Sequence, residues 1–226
     1  MSISTTPLNK GTVTAQEIIE IAEIELGKYG QTNFQVAPIC KQLNISPGVV
    51  NYHFKGRDEL IVRAALSSYS KYVDFAWQES MKVKPDTELA LRTWVSCQIT
   101  WASENPGVAA LINFPSITGH VSELIKTQMS KDFQVKGIES LINMSTLIRN
   151  AKSNSWNEEK IKPEEVYSNQ KLMLIIAKYG WTVLGISTWM AGRHLPSSQI
   201  IGTDELVPVA LEHVLNDMYK EIKELN

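Results

Sequence analysis

Apolar side chains recur along this chain at intervals of three and four residues, and no stretch sustains an alternation of two. A 3.6-residue turn gathers such positions on one face, so the pattern predicts helices almost throughout. Thr14-Ala15-Gln16-Glu17 has the form of a capping box, and behind it Ala15, Ile18, Ala22, Leu26 and Tyr29 follow helical spacing until Gly30. The pattern predicts helices over about 12–29, 35–43, 47–53, 57–82, 86–104, 106–113, 119–151, 163–192 and 203–224. Their breaks are Lys84-Pro85, Asn105-Pro106-Gly107, Phe114-Pro115, the polar loop 152–162, and 192–202 with Pro196. The fold class expected is all-α, without internal repeats.

Residues 34–54 (FQVAPICKQLNISPGVVNYHF) hold two short helices joined by a tight turn. Asn44 falls where the first must end in a left-handed conformation, which Asn tolerates better than most residues. Ile45 plugs the gap, Ser46 stands at the next N-cap, and Pro47 takes the first helical position, where a missing N–H costs nothing. Val50 and Phe54 turn inward to meet Val36, Ile39 and Leu43. The other face carries Ser46, Pro47, Gly48, Val49, Asn51, Tyr52 and His53: small residues at its start, polar ones after, on an apolar backing. A helix that enters the major groove of DNA needs that arrangement.

Charge refines this picture. The net charge of −2 gives no global sign of a nucleic-acid partner. Locally, residues 31–57 contain no Asp or Glu but carry Lys41, Lys55 and Arg57. The first helix is acidic, with Glu17, Glu20, Glu23 and Glu25 against Lys28, so it must lie away from any phosphates. Ionic contacts should be few and the salt dependence modest. Hydrophobic residues at 43% and charged residues at 20% exclude a disordered chain. Cys40 and Cys97 stand far apart in apolar surroundings, and residues 1–12 lack an apolar central run, so reduced thiols in a cytoplasmic protein are expected. Residues 172–192 approach the length and apolarity of a bilayer span. Lys178, Thr182, Ser187 and Thr188 argue instead for a core or interface helix. The histidines are dispersed, and no nucleophile elbow, HExxH, phosphate loop or dinucleotide fingerprint occurs. No enzyme, cofactor or metal site is expected.

From Thr14 to Leu60 the chain resembles the TetR family of transcriptional regulators. The likeness rests on the capped helix ending in Tyr29-Gly30, the helix-turn-helix, and the run Asn51-Tyr52-His53-Phe54-Lys55-Gly56-Arg57-Asp58-Glu59-Leu60. It implies a three-helix DNA-binding domain at 12–57 and a larger helical ligand-binding and dimerisation domain at 58–226. By position, Gln35 would touch phosphate or cap its helix in solvent. Pro47, Gly48 and Val49 would lie nearest the base edges, with Val49 suited to a thymine methyl. Asn51 would bond a base or phosphate, or stay at the surface. Tyr52 and His53 would clamp phosphate or pack on the core. Lys55 and Arg57, flanking Gly56, would hold a phosphate or remain solvated charges. Phe34 replaces a frequent capping Thr, Ala37-Pro38 a frequent Arg-Asp pair, and Asn51 a usual aromatic, which thins the expected DNA contacts.

Beyond residue 60 only helix number and order are similar. The resemblance implies an effector among the inner helices, and Trp94, Trp101, Phe114 and Trp181 are candidates to line a site for an apolar or aromatic molecule. It also implies a homodimer through the helices at 163–192 and 203–224. Leu172, Ile175, Ile176, Tyr179, Val183, Leu184 and Ile186 nearly encircle the first, and Leu206, Val209, Ala210, His213, Val214 and Met218 stripe the second. Two recognition helices on a two-fold axis require a near-palindromic operator on double-stranded DNA. The function expected is a ligand-responsive regulator, with repression the expected sign. The rival is a TetR-like helical protein that serves as a protein-interaction module without specific DNA binding.

Overall fold

The computed structural model describes residues 13–113, 123–191 and 203–225. Among these the chain is all-α, with ten helices and no strand. They are α1 (Ala15–Asn33), α2 (Val36–Leu43), α3 (Pro47–His53), α4 (Arg57–Lys82), α5 (Thr87–Glu104), α6 (Pro106–Asn113), α7 (Glu123–Ser153), α8 (Pro163–Ser168), α9 (Gln170–Ala191) and α10 (Thr203–Lys223). No described helix is long and apolar enough to cross a membrane.

Local chemistry sets most helix ends. The Thr14 hydroxyl accepts the Glu17 amide at 3.2 Å, and Glu17 accepts the Thr14 amide at 2.7 Å, which closes the capping box. Asn44 ends α2 at φ 53°, and Asp86 starts α5 by accepting the Leu89 amide at 2.8 Å. Ser46 has the extended backbone of an N-cap, yet its hydroxyl makes no capping bond. Two expectations fail. Gly30 does not stop α1: it kinks the helix at φ 68°, and the chain continues helical to Asn33. The single helix expected over 163–192 is broken at Asn169, whose carboxamide oxygen caps α9 by accepting the Leu172 amide at 3.0 Å.

The buried residues form two clusters. One joins Ile18, Ala22 and Leu26 of α1 with Phe34, Ile39 and Cys40, Val50 and Phe54, the first turns of α4, and Val108 and Leu111 of α6. The other joins the later part of α4 with α5, α7, α8, α9 and α10 around Trp94, Leu147, Ile148 and Tyr179. Helix α4 belongs to both, with Leu60, Ile61 and Ala65 in the first and Tyr72, Val73 and Ala76 in the second. A continuous helix, not a flexible linker, therefore joins the two clusters.

Helix α6 reaches α1 through glycines. A Cβ added at Gly107 would lie 2.2 Å from the Leu26 carbonyl oxygen and 2.7 Å from the Gly30 Cα. Only two residues lacking side chains allow that approach. On α7 a buried polar row anchors the loop that follows. Thr146 donates to the Ile142 carbonyl and accepts the Ile161 amide, while Asn150 donates to the Asn157 carbonyl at 3.0 Å.

Candidate nucleic-acid interface

Helices α2 and α3 are too short to be stable alone, and each stands on apolar backing. Ile39 is fully buried and Val50 nearly so, with Val36, Leu43 and Ile45 half-buried beside them. This backing turns one face of α3 to solvent. Ser46, Pro47, Gly48 and Asn51 are exposed, and Tyr52 is 84% exposed, the most open of the large apolar side chains described. Its ring meets His53 edge-on, with centroids 5.2 Å apart. A Tyr held open at the end of a short helix projects a phenolic donor and a flat ring beyond the surface.

The remaining residues of the expected site divide into groups. Gln35 is exposed at the N-cap of α2 and makes no side-chain capping bond, which leaves its carboxamide for an outside partner. Val49, expected nearest the base edges, is half-buried against the N-terminal cluster and offers only part of its side chain. His53 is also half-buried, with Nε2 3.1 Å from the Val13 carbonyl oxygen. That contact ties the end of α3 to the entry of α1 and leaves Nδ1 as the ring's other polar atom.

Arg57 braces the fold. Its Nε donates to the Phe34 carbonyl at 3.2 Å, Nη2 donates to the Gln31 carbonyl, and Nη1 pairs with Asp58 at 3.2 Å. The guanidinium also lies over the Phe34 ring, 5.9 Å from its centroid. A guanidinium has five N–H groups, so at most two remain for a phosphate. The brace binds the start of α4 to carbonyls at the end of α1, where a cation suits the helix dipole. Gly56 makes the turn possible at φ 123°, outside the range of L side chains.

The charge around the face is sorted. Lys41 and Lys55 are exposed, and no ion pair engages either among the described residues. The carboxylates nearby are occupied: Asp58 with Arg57, and Glu59 with the Lys55 amide at 3.2 Å and Arg63 at 3.9 Å. Glu23 of the acidic α1 is turned toward Lys71 of α4, at 2.9 Å from each oxygen. The face of α3 is thus bordered by two open lysines and no unpaired carboxylate of its own loop.

Of the four aromatics expected to line an effector site, the three within the described residues line no common pocket. Trp94 is 1% exposed inside the second cluster. Trp101 borders a cleft where α1, α4 and α5 meet. Trp181 is 70% exposed on α9, beside a separate groove against α10. Phe114 lies outside the described residues. Residues the motif reading passed over, Lys71, Phe75 and Glu104, share the cleft with Trp101. They are divided between α4 and α5, and no local spacing announces them.

The expected dimer stripes are also divided. Leu172, Ile175, Tyr179 and Val183 of α9 and Val214 and Met218 of α10 are buried within their own chain. Leu184 and Leu206 lie among side chains outside the description. The outer face of α9 presents Lys171, Leu174, Lys178, Trp181 and Gly185, at helical spacing, and α10 presents Val209 and His213. Among the described residues no group of three or more His, Cys, Asp or Glu could hold a metal. No family model, no curated protein and no solved structure matches this chain.

Proposed function

We propose that the chain is a TetR-like transcription regulator that binds double-stranded DNA as a homodimer and responds to a small molecule. The observation that carries this reading is the exposed face of α3. Ser46, Pro47, Gly48, Asn51 and Tyr52 stand open on a packed apolar backing, with free Lys55 at the exit. Small residues at the helix start let its backbone approach base edges, and the polar end suits phosphate. Few strong base readers are present, so affinity rests on phosphate contacts and on DNA shape as much as on direct readout.

A dimer would bring two such faces to successive major grooves, about 34–36 Å apart for half-sites one turn apart. The exposed Leu174 and Trp181 of α9 supply an apolar surface that a second copy would cover. Large apolar side chains left open in a row commonly mark such contacts.

The test is selection of genomic DNA fragments by the purified chain, followed by salt titration on any enriched sequence. Recovery of an imperfect palindrome, bound far above scrambled DNA and weakened by Tyr52→Ala and Lys55→Ala, supports the regulator. Binding that ignores sequence and vanishes by physiological salt overturns it. The open Tyr52 and the sparse base readers would then belong to a protein-interaction module, sought by partner capture.

A further inference from the structure

We propose that the cleft between α1, α4 and α5 is a binding site for a flat aromatic cation. The cleft has a volume of about 520 Å³. That lies within the range of sites for drug-sized molecules, about 300–1,000 Å³. One wall is a rigid aromatic platform. Tyr72 and Trp101 stack with centroids 4.9 Å apart and an interplanar angle of 20°. The Trp101 indole N–H donates to the Ser68 hydroxyl at 3.2 Å, which fixes the ring in place. Phe75, three residues after Tyr72 on α4, also lines the cleft and, although apolar, is 55% exposed. A flat molecule laid against these rings would cover an edge that the chain itself leaves open.

The charge at the rim selects the sign of the ligand. Three side chains that carry charge at neutral pH border the cleft, Glu23, Lys71 and Glu104; burial pushes the Cys97 thiol and the Tyr72 phenol up, so both stay neutral. Lys71 is clamped to both oxygens of Glu23 at 2.9 Å, so that pair is neutralised. Glu104 is exposed and engages no cation among the described residues. The cleft therefore presents one uncompensated carboxylate beside Trp101 and Phe75, and a cation is attracted both to the carboxylate and to the electron-rich rings. An anionic ligand would meet repulsion from both.

The position of the site connects it to α1. Asn105, at the cleft's edge, donates from Nδ2 to the Trp101 carbonyl at 3.0 Å. Its Oδ1 faces Gly27 of α1, where an added Cβ would sit only 3.1 Å away. An occupant that shifts the Trp101 turn therefore presses on the helix that carries the α2–α3 pair. That regulatory role rests on the DNA-binding reading above; the ligand chemistry does not.

The experiment is calorimetric titration of the full chain, without DNA, with three probes of one shape: 1-naphthylmethylammonium, 1-naphthalenemethanol and 1-naphthoate. The ammonium should bind once per chain, about tenfold more tightly than the naphthoate, with the alcohol between them. Glu104→Gln should bring the three within about twofold of each other, and Phe75→Ala should weaken all of them about fivefold. Both positions are exposed, so the variants keep the fold, and circular dichroism checks this. Absence of saturable heat at millimolar probe overturns the proposal. So does equal binding of the naphthoate, or binding abolished by Trp181→Ala instead, which would assign it to the α9–α10 groove. Since no DNA is present, failure here leaves the operator selection untouched, and failure of that selection leaves the cleft's binding untouched.

Discussion

Gly107→Ala tests the junction of α6 and α1 with a single carbon atom. The new Cβ would sit 2.2 Å from the Leu26 carbonyl oxygen, 2.7 Å from the Gly30 Cα and 2.7 Å from the Gly30 nitrogen. All three are backbone atoms, so no rotamer change relieves the clash. Helix α6 must move off α1 by roughly an ångström, and Val108 and Leu111, both fully buried, move with it. Overpacking of this kind costs typically about 1–3 kcal/mol, and the upper end applies where only backbone can yield. For a chain of this length that lowers the melting midpoint by about 6–12 °C. The control is Gly48→Ala, whose Cβ meets only the Ser46 hydroxyl at 3.4 Å and whose φ is ordinary. Urea unfolding followed by circular dichroism measures both variants under one protocol. If Gly107→Ala unfolds within about 0.5 kcal/mol of the parent chain, as ordinary surface changes do, the close packing of α6 on α1 is wrong.

Arg57→Ala should lower stability by about 1–2 kcal/mol by freeing the Gln31 and Phe34 carbonyls, and Arg57→Lys should recover little of it, since one ammonium cannot span both acceptors; urea midpoints decide. Ile39→Ala, at a fully buried site, should cost about 3 kcal/mol, whereas Tyr52→Ala should leave stability within about 0.5 kcal/mol while abolishing operator retention in the selected DNA. A double-mutant cycle on Glu23 and Lys71 should return less than about 1 kcal/mol, shrinking further in salt, because the lysine is largely solvated. Hydrogen bonds from the Thr14 amide and hydroxyl hold the Glu17 carboxyl below its ordinary pKa. Its contribution is therefore complete above the ordinary glutamate value and is lost as pH falls through the lowered one; acid unfolding of Glu17→Gln, measured against the parent, should show that part of the pH dependence removed.

Helix ends set by their own side chains were legible in the sequence. Thr14, Asn44 and Pro106 each act on backbone within a few residues, and the helices end or start beside them. The exposed face of α3 was legible for the same reason, since the apolar positions behind it lie within one short segment. Interactions between distant segments were not. The bracing role of Arg57 was not, because its acceptors, Gln31 and Phe34, lie 26 and 23 residues earlier. Gly30 read as a stop because a glycine marks helix ends locally; its packing against Gly107 of α6 is invisible to local pattern. Asn169 was overlooked in the polar stretch Ser168-Asn169-Gln170-Lys171, just before the apolar run that begins at Leu172. The cleft beside Trp101 draws its walls from three helices, and only the packed chain assembles them.

The fold sets unequal resistances to motion around α1. On one side α6 is locked to it through Gly107 and Gly30, with buried apolar residues behind the contact. At its end Arg57 holds Gln31 and Phe34 by charge-assisted bonds, and His53 holds the entry at Val13. Across the cleft α1 faces α4 through the Glu23–Lys71 pair, whose lysine is more than half exposed, while toward the start of α4 Ile18, Ala22 and Leu26 pack in one cluster with Leu60, Ile61 and Ala65. A pair of that kind resists separation by about 1 kcal/mol or less, whereas parting α1 from α6 or from the start of α4 would uncover buried apolar side chains such as Val108, Leu111, Leu60 and Ile61 at about 1.5–3 kcal/mol each. The cleft therefore loosens at the Glu23–Lys71 pair, while the apolar contacts of α1 with α6 and with the start of α4 stay in place. An occupant need only prefer the opened state by a few kcal/mol to shift the population, and the aromatic wall and the free Glu104 provide contacts able to differ between the two states.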